Sequence, residues 1–329
     1  MFLPHSYAGT LALMLISMVA WGSWANAQKF DRTLRFELFY WDYVWAILAC
    51  ALLAALTLGR LHPADADSFL NNLRTARAAK FGDALLGGVV FDAGNILLVA
   101  AIALGGMAVA FPIGAGLALV IGATLNYIIQ PAGNPWLLFP GMALVCLAIL
   151  FDAAAYRSLR RAEGGGALAI ALSVGCGVLI GLFYPLVAKA LSGPGALTPY
   201  SVLVVFAIGV LLANIPLNWL LMRHPVAGRP LAWEDYARLR WQAHALGWLG
   251  GAVWTIGTVA NFIASAVPAV GPAVSFALGE GNTLISAIWG VAVWHEFRGA
   301  SPSTRRQLVL MFACFALGLT AIALAPVWT

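Results

Sequence analysis

Gly87–Tyr127 reads GGVVFDAGNILLVAAIALGGMAVAFPIGAGLALVIGATLNY. About 20 apolar residues suffice to cross a bilayer, so this stretch is too long for one membrane helix. The Gly105-Gly106 pair divides it into two helices with almost no loop between them. One carboxylate, Asp92, sits inside the first of the two. The same layout returns at Gly250–Ala292, GGAVWTIGTVANFIASAVPAVGPAVSFALGEGNTLISAIWGVA. A constant shift of 163 positions (87 to 250) carries Gly87, Gly88, Val90, Gly94, Ala110 and Gly116 onto Gly250, Gly251, Val253, Gly257, Ala273 and Gly279. Each copy also holds one helix-embedded acid, Asp92 in the first and Glu280 in the second. The even register points to a duplicated half.

The rest of the chain fits a polytopic membrane protein. Of its 329 residues 62% are hydrophobic and only 9% charged, against about 25% charged in soluble domains. Mean hydropathy is +0.89. No polar stretch is long enough for a separate soluble domain. The net charge of +5 is therefore read as topology signal and lipid contact rather than as a nucleic-acid footprint. Cys50, Cys146, Cys176 and Cys314 lie far apart in apolar runs, with neither metal nor disulfide spacing. Ala25-Asn26-Ala27 resembles a cleavage site, but the residues before it include no Lys or Arg, so the segment is read as a retained first helix.

The apolar runs predict ten helices, at 7–27, 40–59, 84–104, 107–129, 136–156, 166–189, 198–222, 243–265, 269–294 and 306–326. Five helices per half is odd, so the second half would enter the membrane from the opposite side. The expected fold is an all-α integral membrane protein built as two inverted five-helix repeats, 1–160 and 161–329, forming one transport domain. Residues 66–80 are expected to form a short surface helix, with Phe69, Leu73 and Ala76 on one face. Four basic loops share a side: Lys29, Arg32 and Arg35; Arg157, Arg160 and Arg161; Arg223, Arg229, Arg238 and Arg240; Arg298, Arg305 and Arg306. That side is predicted to be cytoplasmic, with both termini outward. The loop 60–83, with Arg60, Arg74, Arg77 and Lys80, goes against the rule.

Charged side chains within a bilayer are expensive and mark pathways or proton relays. Asp92 and Glu280 are thus candidate proton carriers, weighed against acids that only bridge helices. Glu280 lies between Gly279 and Gly281, where the backbone is weak and open to close approach. Asp42, within Phe39-Tyr40-Trp41-Asp42-Tyr43, is either a site acid ringed by aromatics or part of an interface belt. Trp21 and Trp24 share a face, and such faces suit sugar rings and flat heterocycles. Asn95, Asn126, Asn261 and Asn282 add donors and acceptors. Together they suggest a polar cavity with little fixed charge, fit for a neutral polar solute. His295-Glu296 reads as a solvated helix end. No nucleophile triad, HExxH, phosphate loop or metal motif is present, so neither an enzyme nor a cofactor or metal is expected.

Ten helices in two halves, with Glu296 closing the ninth, resemble the drug/metabolite transporter superfamily. Trp21-Gly22-Ser23-Trp24-Ala25-Asn26, followed by Gln28-Lys29, resembles the start of the L-rhamnose–proton symporters and glucose/ribose uptake proteins. Gly87-Gly88-Val89-Val90, Gly94-Asn95, Gly122–Tyr127 and Leu138-Phe139-Pro140-Gly141 are similar to plant ureide permeases. So are Trp41-Asp42-Tyr43, Ile285–Gly290 and Glu296-Phe297-Arg298. The chain departs from the plant pattern at Asp92 and Glu280, where uncharged residues stand, and in a short central connection, Arg157–Gly166. The resemblance implies proton-coupled import of a sugar, ureide or nucleobase across a cell (inner) membrane. The partners it implies are a small-molecule substrate, protons and membrane lipids, with no nucleic acid, in a monomer or homodimer. Export of drugs or metabolites is the alternative within the superfamily.

Overall fold

The computed structural model describes residues 1–31, 33–105, 107–159 and 166–328. Arg32, Gly106, Arg160 and Arg161 lie outside them. So does most of the central connection, including the expected boundary between halves at 160 and 161.

Ten helices are long and apolar enough to cross a membrane, and each overlaps one predicted span. In chain order the helices are α1 (Tyr7–Ser23), α2 (Asn26–Lys29), α3 (Phe36–Leu56), α4 (Phe69–Thr75), α5 (Ala78–Gly105), α6 (Met107–Ile129) and α7 (Pro135–Leu159). They continue with α8 (Ala167–Leu191), α9 (Pro199–Arg223), α10 (Trp233–Ala237), α11 (Trp241–Ser265), α12 (Gly271–Gly279), α13 (Asn282–Ile288) and α14 (Pro302–Leu324). No strand occurs among the described residues. Several starts follow ordinary capping chemistry. The Ser6 hydroxyl accepts from Gly9 N, and Thr198 and Ser301 cap helices that begin with Pro199 and Pro302.

Two spans are less regular than their hydropathy suggests. The first divides near Trp24 into α1 and α2. The ninth, expected as one helix over 269–294, is α12, a break at Glu280-Gly281, α13, and a π turn at Trp289–Val293. At the break Gly281 N bonds Leu278 O, three residues back, rather than four. The expected surface helix forms as the shorter α4, which ends as Ala76 turns extended. The short helix α10 has no counterpart among the predicted elements.

Helix neighbours recur in matched pairs. α5 packs between α8 and α9, and α11 packs between α1 and α3. α6 packs on α8, and α12 and α13 pack on α1. α3 lies on α9 and α7 on α14. The closest crossings keep the 163-residue shift. A Cβ on Gly88 would run into the Phe206 carbonyl oxygen, and a Cβ on Gly251 would run into that of Tyr43. Gly88 and Gly251 are one shift apart, and so are Tyr43 and Phe206. Without a side chain at either glycine, two helix backbones can touch, which is how packing is gained in lipid.

Contacts between connections show which ends lie together. Lys29 pairs with Glu296, Arg35 donates to Arg229 O, and the Ser158 and Thr304 hydroxyls bond. At the opposite end Lys80 donates to Lys189 O, Asn72 bonds the backbone of Ala196 and Thr198, and Asn134 donates to Trp328 O. The first end is the one predicted to be cytoplasmic.

Candidate substrate cavity

A cavity of about 350 Å³ opens among α1, α2, α5, α6, α8, α11 and the broken ninth span. Its inner wall is aromatic. The Phe91 and Trp254 rings, one from α5 and one from α11, lie 4.7 Å apart between centroids. Phe183 stands 5.3 Å from Phe91, and Trp21 stacks 6.5 Å from Trp254. Trp21 is fixed by its indole N–H, which donates to the Thr258 hydroxyl at 3.0 Å. Trp24 packs on Tyr43 at 4.6 Å. These walls offer flat faces to a ring or a planar amide.

Polar groups reach the same space. Glu280 is 7% exposed and lines the cavity at the break in the ninth span. Its backbone carbonyl accepts from the Thr283 hydroxyl, while no described protein group bonds its carboxylate. The break is held by close packing. A Cβ on Gly279 would lie 2.7 Å from the Trp21 ring and 2.8 Å from Asn261 Nδ2. Asn282 and Ser286 follow on the next turns. Asn95 lines the opposite wall, where its Nδ2 donates to the Tyr40 hydroxyl at 2.9 Å. That hydroxyl donates in turn to Asp92 Oδ1 at 2.9 Å. Asp92 does not line the cavity. It is fully buried, and its Oδ2 has no partner among the described residues. Tyr40 thus links the buried acid to the cavity wall through Asn95.

The cavity extends towards the Lys29 end. Along that side α1 and α2 are seamed to the ninth span. Ser286 donates to Gly22 O, the Trp289 indole to Ser23 Oγ, and the Trp294 indole to Asn26 Oδ1 at 2.7 Å. At the mouth Glu296 accepts from the Tyr156 hydroxyl at 2.6 Å and pairs with Lys29 at 3.3 Å. His295 just before it holds φ +52°. Among the described residues Glu296 is therefore a paired acid rather than a free helix end.

Of the residues singled out from sequence, Trp21, Trp24, Asn95, Asn282 and Glu280 line this cavity, and Asp92, Asn126, Asn261 and Asp42 do not. Asn261 is fully buried towards the closed end. Its Nδ2 donates to Ser17 Oγ and Ser275 O, both at 3.0 Å, and its Oδ1 accepts from the Tyr184 and Ser275 hydroxyls. Asn126 is fully buried too, with neither amide atom partnered among the described residues. Asp42 lies near the Lys29 end, bonded to Tyr236 Oη and His244 Nδ1, each at 2.8 Å. Burial first, then Asp42, push the Tyr236 phenol upward, so it acts as the donor.

Sequence reading missed Lys29, Tyr156, Phe91, Phe183 and Trp254 as cavity residues. Nothing in their spacing sets them apart from belt or core aromatics and a loop cation. It also left out Asp152, an acid within the fifth span whose Oδ1 is buried without a described partner. The rule that flags Asp92 and Glu280 applies to Asp152 unchanged.

Comparison with known proteins agrees with the motifs. The family model described as Ureide permease matches residues 39–169. Ureide permease 1 of Arabidopsis thaliana is 24% identical over 386 aligned positions, covering 98% of each chain. Its similarity is to the ureide permeases. Ureide permease 3 of the same plant reaches 31% identity over 161 positions, 48% of this chain and 46% of that one. A solved crystal structure aligns over 95% of this chain and 98% of its own, with TM-score 0.53 at 14% identity. At that identity the match speaks for the fold alone. The fold and the full-length permease similarity together describe a multi-pass membrane transporter.

Proposed function

We propose that the chain imports a small neutral polar solute, ureide-like or a nucleobase, across a cell (inner) membrane by proton-coupled alternating access. The observation that carries this reading is Glu280, a carboxyl at a helix break, facing a cavity walled by aromatic rings and amides. A planar solute can lie against the wall formed by Trp21, Trp254 and Phe91, and Asn95 and Asn282 supply both donors and acceptors. A carboxyl without a partner among the described residues can take a proton or a hydrogen bond from the solute, which links the two. Asp92, reached through Asn95 and Tyr40, is a second candidate carrier. The similarity to proteins named ureide permeases favours a ureide over a sugar. The matched helix neighbours and the common shift of 163 support two inverted halves, which is the architecture alternating access uses.

The test is solute uptake into proteoliposomes with and without an inward proton gradient. Glu280→Gln is expected to lose gradient-driven accumulation while keeping solute counterflow. Normal accumulation with an unchanged pH profile would remove Glu280 from the coupling role. Thermal stabilisation by ureides and nucleobases, and not by sugars or hydrophobic cations, is the expected ligand pattern.

A further inference from the structure

The 163-residue shift applies to the cavity itself. On α5 the lining residues include Phe91, Asn95, Leu98 and Ile102. Their counterparts on α11 are Trp254, Thr258, Asn261 and Ser265. Trp254 faces the same cavity, so the two halves meet at the Phe91–Trp254 pair. The other three are buried, at 0%, 0% and 3% exposure, on the far side of that pair. There Asn261 binds Ser17, Tyr184 and Ser275, which brings polar groups of four spans together inside the membrane. On α6, Asn126 is buried further along the same helix than the cavity-lining Gly114, Ala115 and Ala118, with its amide unpartnered among the described residues. An amide left unbonded in the interior is costly, a penalty that is relieved if water or a solute reaches it in another state.

We propose that Ser17, Asn126, Tyr184, Asn261, Ser265 and Ser275 line a second solute-binding vestibule, which opens at the Asn134 end when the present cavity closes. Along the matched pair α5 and α11 it is the more polar side. Where the first vestibule has Leu98 and Ile102, the second has Asn261 and Ser265. A neutral solute rich in amide or hydroxyl groups therefore finds hydrogen-bond partners from α11 there that α5 does not offer in the first, and the Tyr184–Asn261–Ser275 bonds are exchanged for bonds to solute. The proposal rests on the alternating-access reading above.

Side-specific thiol labelling tests it. Asn126→Cys, Ser265→Cys and Ser275→Cys are made separately, with Cys50, Cys146 and Cys314 replaced by Ser. The native Cys176, which lines the present cavity, is kept. A membrane-impermeant maleimide is applied to membrane vesicles of each orientation. All three positions are expected to label from the Asn134 side, and a bulky maleimide placed on Cys176 from the Lys29 side is expected to slow that labelling at least fivefold. No labelling from the Asn134 side in any variant that purifies as a monodisperse species overturns the vestibule. Labelling that ignores the state of Cys176 overturns its coupling to the first cavity, and with it the proposal. Solute counterflow by the unaltered protein is measured in parallel. Its absence sinks the transport reading, while labelling still decides the vestibule.

Discussion

α5 and α11 occupy matching places and do different chemistry. Each presents a glycine, Gly88 or Gly251, to the backbone of a crossing helix. Each then turns a large ring, Phe91 or Trp254, to the centre. Beyond the ring they diverge: α5 continues with Leu98 and Ile102 into the cavity, α11 with Asn261 and Ser265 into a hydrogen-bonded layer. The contacts between backbones are kept and the side chains beyond them are free to differ. What fixes the bundle is close approach, which tolerates nothing larger than hydrogen. What the bundle leaves free to differ is the side chains beyond those contacts.

The largest expected effect tests the shared part. Gly88→Leu and Gly251→Leu both push a side chain into a carbonyl oxygen, so each should cost about 3 kcal/mol or more. Loss of monodisperse protein in detergent, or a large drop in apparent melting temperature, is the readout. Similar losses at both sites support equivalent crossings, and a well-tolerated leucine at either one breaks the comparison.

The next effect sharpens it, because the shift does not make every pair alike. Gly116 and Gly279 also match in sequence. A Cβ on Gly116 meets nothing within 4 Å, whereas one on Gly279 meets Trp21 and Asn261 below 3 Å. Gly279→Ala should destabilise by about 1–3 kcal/mol and weaken solute binding by displacing Trp21. Gly116→Ala should stabilise by about 0.5–1 kcal/mol, the ordinary gain in a helix interior. Thermal unfolding of the two variants side by side decides this, and equal losses would mean that the ninth-span break is no special contact.

These pairs show what sequence can and cannot give. Helix spans are legible because about 20 apolar residues must cross lipid whatever they pack against. The common register of Gly88 and Gly251 is legible because small residues at crossings are hard to replace. Glu280 stands out because a carboxyl in an apolar run is costly. Asn261 and Asn282 look alike in sequence, yet one is locked between helices and the other faces the cavity. That difference depends on how far along the bundle each helix has travelled before it meets its neighbours. The break at Glu280-Gly281 is hinted at by its glycines, but the π turn after it carries no local signal. Asp152 is a plain omission, since its setting in Phe151-Asp152-Ala153 is as apolar as that of Asp92.

A milder change moves chemistry from one half to the other. Leu98→Asn places at the cavity the amide that its counterpart, Asn261, holds in the buried layer. One added neutral hydrogen bond is worth about 1 kcal/mol, or roughly fivefold in affinity. KM for solute presented from the Lys29 end should fall by about that factor, with release slowed in proportion. KM from the Asn134 end should hardly move. A fall of equal size at both ends would show that the two faces share one binding locus and that the halves are not chemically distinct.

The smallest effect belongs to the connections. α4 clips the start of α9 through Asn72, whose amide bonds Ala196 O and Thr198 N. α10, near the matching position, relies on charge within its own connection. Asp235 takes Arg229 in two bonds, at 2.6 and 3.2 Å, and accepts from Ala232 N at 2.9 Å. The Arg229 guanidinium and then that N–H lower the Asp235 pKa to about 2. A carboxyl lowered by folding stabilises the fold above its unfolded value, about 3.9, and loses that contribution as pH falls through about 2. The Asn72 clip has no such dependence. Asp235→Asn should therefore make the 224–240 connection more open to protease, by the same small margin from pH 5 to pH 8. The difference from the unaltered protein should fade as pH falls from about 4 towards about 2, and added salt should shrink it, since the pair is exposed. A margin that added salt leaves unchanged would point instead to the Tyr236–Asp42 bond as what holds α10 in place.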